Sequence, residues 1–405
     1  MKNYIQCLLI LLIIIGISSC RAPSSRSKNT LKINLPDDPP TLDPRKGGDI
    51  ISSQVQFMLF EGLTRNAQSS STELALAEKI DISEDQTLYT FYLRPAIWTS
   101  GNPITASDFE HAWKKMLLPQ FPCPNANLLF PIKNAKKAKE GLVGIDQVGV
   151  KALDAKTLEV KLEKPTPYFL QLTSFCVFFP VEHAVVEKHI EWAETLNPYL
   201  INNGPFKISY WKKKDKMILV KNPDYWNSKE VMLDAIEISF IENNMTALQM
   251  FEKGMLDFIG APLCSIPQES LLPLAKTGAL KTHPVGATTF CSFNVHAFPF
   301  HNKNIRKAFS YAIDRESIVN YITQLDEQVA FDPVPALLKG GKVSGFFPTL
   351  DHKIQAKEYL KKGLEELKIT PQDLNGLPFT YIIGETENLI AQFLQDNWSE
   401  VLGIR

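Results

Sequence analysis

Charge of one sign, paired cysteines and enzyme signatures are all scarce in this 405-residue sequence. Lys and Arg number 43 against 44 Asp and Glu, a formal net charge of −1, so nothing proposes nucleic acid or a polyanionic partner. The six cysteines (Cys7, Cys20, Cys123, Cys176, Cys264 and Cys291) form no C-x-x-C pair, and a zinc cluster is not expected. A disulfide among the last four stays open, since spacing alone assigns none. There is no G-x-S-x-G elbow, H-E-x-x-H helix, Walker A loop or G-x-G-x-x-G turn. No enzyme and no cofactor is therefore expected. His183 and Glu187 stand four apart on an expected helix and read as a solvated face rather than a shared ligand site. His296 and His301 share a loop and read as surface histidines, with a metal pair as the alternative. Past Cys20 no run approaches the roughly 20 apolar residues of a spanning helix. The nearest, 168–181, is broken by Gln171, Thr173 and Ser174 and reads as buried strand or core.

What is present begins at the N-terminus. Met1-Lys2-Asn3 precedes the apolar run 7–15, and Gly16-Ile17-Ser18-Ser19-Cys20 closes it with small residues. That is the layout of a secretory signal, short for a membrane span. Ile17-Ser18-Ser19-Cys20 resembles a bacterial lipobox, which implies acylation of Cys20 and a signal peptide over 1–20. Two or more acyl chains are what stable anchoring requires. Residues 21–30, almost without apolar side chains, are expected to be a flexible tether. At this length two or three domains are expected.

The body is organised around 88–118. Leu88–Leu93 alternates as a strand, and Trp98-Thr99-Ser100-Gly101-Asn102-Pro103 supplies the residues of a tight reversal. Thr105 and Asp108 then form a capping-box-like start to a helix carrying Phe109, Trp113, Met116 and Leu117 on one face. Elsewhere the patterns predict strands at 31–35, 148–153, 157–162, 207–211, 217–220, 236–240, 257–259 and 379–383. Helices are expected over 50–59, 245–253, 304–315, 354–367 and 389–402, with another opened by Pro180. Trp98, Trp113, Tyr225 and Trp226 read as core rather than as a stacking platform.

Leu93, Arg94, Trp98, Gly101, Pro103, Thr105, Ala106, Asp108 and Phe109 together carry a pattern that resembles the signature of the family 5 extracellular solute-binding proteins. These are oligopeptide and dipeptide receptors of ABC importers. Ser100 departs mildly, standing where the family usually has Asp or Asn. Further matching runs are Leu42-Asp43-Pro44, Phe60-Glu61-Gly62-Leu63, Pro165-Thr166-Pro167-Tyr168-Phe169, Asn222-Pro223-Asp224-Tyr225-Trp226 and Asn304–Arg315. Gly62 is expected just past a helix end.

The resemblance implies an α/β, periplasmic-binding-protein-like fold (type II, cluster C), two-lobed with an extra domain. Lobe I would comprise 31–65 and 181–282, the extra domain 66–180, and lobe III 283–405. Lobe III is expected to be incomplete, because the family's returning strands and its acidic anchor for a peptide amino terminus have no counterpart here. The implied function is capture of extended oligopeptides, with an ABC permease and ATPase as partners and the membrane reached through the lipid anchor. Localisation would be the bacterial cell envelope, exported and anchored. The implied ligand-contacting residues are Asp49, Ile50, Ile51, Ser52, Asn203, Gly204, Phe290 and Asn294, with Gly204 allowing close backbone approach. Backbone pairing as an added strand suits varied peptides. The alternatives are a receptor for a nickel complex, haem or cell-wall peptide, or a truncated non-transporting surface protein.

Overall fold

The computed structural model describes residues 29–67, 72–335, 337–338 and 352–405. The expected signal peptide, Cys20 and nearly all of the tether lie outside them. The chain divides after Ser265 into two units.

In the first unit, β1 (Thr30–Leu35) runs parallel to β10 (Ala235–Phe240), and the sheet continues antiparallel through β9 (Lys216–Lys221) to β8 (Phe206–Lys212). Alternation sets its buried face, with Ile236, Ile238 and Phe240 inward along β10. A two-stranded ribbon pairs β2 (Thr64–Asn66) with β3 (Thr72–Leu74). A second, wholly antiparallel sheet has the order β4-β5-β7-β6, formed by Ala77–Ile82, Leu88–Leu93, Thr157–Lys161 and Val150–Ala152 respectively.

Helix α1 (Ile50–Leu59) has the bounds its pattern predicts, and Asp49 caps it. Gly62, expected just past its end, also has a packing reason to be glycine. A Cβ there would stand 2.7 Å from the Thr173 carbonyl oxygen. Helix α2 (Ala106–Met116) starts with the expected capping box and lies against β6 and β7, with Phe109, Ala112, Trp113 and Met116 buried. Trp113 is fully buried and donates to the Phe178 carbonyl at 3.0 Å, which makes it core, as expected. The apolar run 168–181 is largely buried, with Tyr168 exposed, but is not strand. It folds as a helical turn, Phe169–Leu172, and a 3-10 turn, Cys176–Phe178. The helix opened by Pro180 lasts only His183–Val186. Helix α3 (Asn244–Glu252) is followed by Gly254 at φ +67°. The strand expected at 257–259 does not form, because Asp257 takes the Lys32 N–H with its own carboxylate at 2.7 Å and returns a single backbone bond to the Lys32 carbonyl.

The second unit, from Ile266, contains no strand among the described residues. It is built from α4 (Gln268–Lys276), α5 (Lys303–Tyr311), α6 (His352–Leu367) and α7 (Glu385–Leu402). Its core joins Ile305, Ala308 and Phe309 of α5 to Ala356 and Leu360 of α6 and Val401 and Leu402 of α7. Gly363 lets α5 and α6 close tightly, since a Cβ there would meet Ile305 Cδ1 at 2.6 Å. Two expectations fail in this unit. The helix predicted over 304–315 breaks after Tyr311, and Asp314 caps a new turn at Ser317 N (3.0 Å). The strand predicted at 379–383 does not form: the segment has no backbone–backbone partner among the described residues, and Ile382 and Ile383 are 82% and 94% exposed. Strand-like alternation cannot by itself supply a ladder neighbour.

Candidate functional site

The expected ligand-contacting residues stand in quite different surroundings. Asp49 accepts the Ser52 N–H at 2.7 Å, so its carboxylate completes the start of α1. Ile50, beside it, is 68% exposed, whereas Ile51 packs on the core. Ser52 is buried, and its hydroxyl lies 3.4 Å from the Thr41 N–H. The stretch therefore offers solvent one apolar side chain on a fixed helical end.

Asn203 and Gly204 are buried, and their polar groups are engaged within the chain. Asn203 accepts the Glu61 N–H and donates to the Glu61 carbonyl, both at 3.0 Å. Gly204 donates to the Leu59 carbonyl at 2.7 Å, and its own carbonyl accepts from Asn222 Nδ2 at 2.9 Å. The close approach that requires glycine here is to the chain itself, since a Cβ would fall 2.5 Å from the Leu59 carbonyl carbon. This segment carries the end of α1.

In the second unit, Phe290 is 78% exposed in a stretch without regular secondary structure, and exposed Asn294 uses its carboxamide oxygen to accept the His296 N–H at 3.1 Å. Phe290 lies in the stretch 288–293, which makes no backbone–backbone bond among the described residues, whereas the Asn294 carbonyl accepts the Ala297 N–H at 3.1 Å.

Sequence reasoning named Glu61 only as part of the matching run Phe60-Glu61-Gly62-Leu63 and gave it no role. Its carboxylate is buried and accepts from Tyr225 Oη at 2.6 Å and from Trp226 Nε1. Arg65 stands 3.6 Å from it, and the Arg94 guanidinium lies 3.6 Å from the Trp226 ring centre. Burial pushes the Glu61 carboxyl above its ordinary range, against the pull of Trp226, Tyr225, Arg65 and Arg94. The same burial, with the carboxylate beside it, raises the Tyr225 phenol. A glutamate inside the apolar run Phe60-Glu61-Gly62-Leu63 was the available signal, because a charge so placed needs built partners.

His183 and Glu187 do not share a ligand site. His183 Nδ1 lies 2.8 Å from Asp108 Oδ1, while Glu187 Oε1 meets Lys115 Nζ at 3.1 Å and lies 2.9 Å from His111 Nε2. The four body cysteines, Cys123, Cys176, Cys264 and Cys291, are unpaired thiols.

Comparison with known proteins places this geometry. The family described as bacterial extracellular solute-binding proteins, family 5 Middle, matches residues 72–405. The oligopeptide-binding protein OppA of Bacillus subtilis is 40% identical over 384 residues, covering 94% of this chain and 70% of that protein. The Escherichia coli murein tripeptide binding protein MppA, a solved structure, superposes with a TM-score of 0.83 at 29% identity, covering 93% of this chain and 74% of that one. Haemophilus influenzae OppA, solved in complex with the peptide RPPGFSPFR, gives 0.80 at 26% identity, with 93% and 75% covered. The fold is thus the expected mixed α/β, periplasmic-binding-protein-like type II class.

Proposed function

Because the chain belongs to the family 5 bacterial extracellular solute-binding proteins, we propose that it captures extended oligopeptides for an ABC importer. The observation that carries this is its 40% identity, over 94% of its length, to a protein named for oligopeptide binding. A fold alone would not suffice, since one fold serves many cargoes.

In this reading the peptide is held through its backbone, the feature all peptides share. In the first unit the contacts come from Asp49, Ile50, Ile51 and Ser52, with Asn203 and Gly204 bracing that helix. In the second unit the candidates are Phe290 and Asn294, and the backbone at 288–293, without a ladder partner among the described residues, suits strand addition. Transport energy belongs to partner permease and ATPase subunits. Cys20 carries the acyl chains that hold the exported body at the membrane.

A thermal-shift titration with a mixture of tri- to pentapeptides tests the binding. Ligand at about 100 times its Kd stabilises the native state by about 2.7 kcal/mol, a readily measured rise. No shift with peptides, alongside a shift with haem or a nickel complex, would reassign the cargo.

A further inference from the structure

Three stretches far apart in sequence close a ring of contacts around Glu61, and all three lie in the first unit. The first is the end of α1 with Phe60-Glu61-Gly62-Leu63. The second is Asn202-Asn203-Gly204-Pro205, and the third is the turn from Asn222 to Trp226.

The ring can be followed bond by bond. The Glu61 backbone is clasped on both sides by the Asn203 carboxamide. Asn202 Nδ2 reaches the Leu59 carbonyl at 2.6 Å and the Phe206 carbonyl at 2.7 Å. Asn222 holds the second stretch twice, through its Nδ2 on the Gly204 carbonyl (2.9 Å) and its N–H on the Pro205 carbonyl (2.8 Å). The turn that begins at Asn222 then comes back to Glu61, where Tyr225 and Trp226 donate to the two carboxylate oxygens. Removing the carboxylate would open the ring where the third stretch returns to the first.

Burying a carboxylate costs more than a neutral acceptor would, and core packing alone could use an apolar side chain here. What the charge adds is direction, because a charge-assisted bond fixes its donors more tightly than a neutral one does. We propose that Glu61 is a positioning residue for ligand binding: its carboxylate fixes the Asn222–Trp226 turn, and through Asn222 it sets where Asn203–Gly204 and helix α1, with Asp49–Ser52 at its start, stand. The inference rests on the peptide-binding reading for its consequence, but the positioning itself can be measured without a ligand.

The experiment uses the full chain with Glu61→Gln and Tyr225→Phe. The second variant removes only a hydroxyl and so protects against the first failing to fold. Val160→Ala, in the β4–β7 sheet, serves as a control of comparable lost stability. Amide hydrogen exchange is followed by mass spectrometry, and affinity is measured for a peptide that the unaltered chain binds. Loss of a charge-assisted bond should speed exchange over 59–63 and 202–206 by about tenfold, with 88–93 unchanged. Peptide Kd should rise about tenfold with it, and Val160→Ala should leave Kd unchanged. Unaltered exchange at 202–206, uniformly faster exchange, or faster local exchange with an unchanged Kd would each overturn the proposal. If the unaltered chain binds no peptide, the peptide reading falls, and the exchange pattern alone decides whether Glu61 positions the segment.

Discussion

Asp108 Oδ1 and His183 Nδ1 stand 2.8 Å apart although 75 residues separate them in the chain. The other carboxylate oxygen accepts the Thr105 N–H at 2.9 Å and the Thr105 hydroxyl at 3.0 Å, and Trp98 Nε1 lies 3.4 Å from it. His183 also donates its backbone N–H to Oδ1 at 3.2 Å. One buried side chain thus ties the Trp98 turn, the start of α2 and the short helix at His183. Asp108→Ala is expected to lower unfolding free energy by ~3 kcal/mol, because several donors lose their acceptor together. Urea unfolding of the two proteins measures it, and a loss under ~1 kcal/mol would show the acceptor to be dispensable.

Acid should weaken the same region through His111. Burial lowers its pKa most; Arg45 and His183 push the same way, while Glu187 opposes them. The folded value therefore lies below the unfolded one. The contribution is intact above the unfolded pKa, about 6.5, and is lost as pH falls toward the folded value. His111→Gln should lose less stability than the unaltered chain between pH 7 and pH 5. Parallel losses in the two proteins, read from thermal midpoints, would contradict this.

Two glycines should respond to alanine very differently. At Gly204 a Cβ lands 2.5 Å from the Leu59 backbone, which cannot swing aside, and Gly204→Ala is expected to cost ~3 kcal/mol. At Gly101, φ is +89° and a Cβ would meet no atom within 4 Å, so Gly101→Ala should cost only the ~1 kcal/mol of a strained backbone. Chemical denaturation of both variants checks the order, and equal losses would refute it.

Membrane attachment is expected to depend on Cys20. Expressed in a bacterial host, the full chain should fractionate with membranes and carry acyl mass at that residue. Cys20→Ser should release it to the soluble fraction. A membrane-bound Ser variant would assign the attachment elsewhere.

Much of this fold was legible because its signals are local. Thr105 and Asp108 are three residues apart, and the capping box they spell is the one that forms. The bounds of α1, and the strands that become β8 and β9, follow likewise from period and turn chemistry. What failed depended on partners distant in sequence. The alternation over 379–383 is real, but a strand needs a neighbour. Asp257 read as strand because nothing local tells that its carboxylate replaces a ladder bond to Lys32. Gly204 was legible as a place of close backbone approach, but not that its groups and those of Asn203 are engaged within the chain. That fact lies in Leu59, Glu61 and Asn222, at separations no short pattern spans.

The central claim is that this chain binds peptides. Native mass spectrometry of the full chain, mixed with a defined library of tri- to pentapeptides and then desalted, tests it most directly. The account predicts one-to-one complexes whose added masses match library peptides of several sequences. A spectrum holding only the free chain, or adducts whose masses match no peptide, would contradict it.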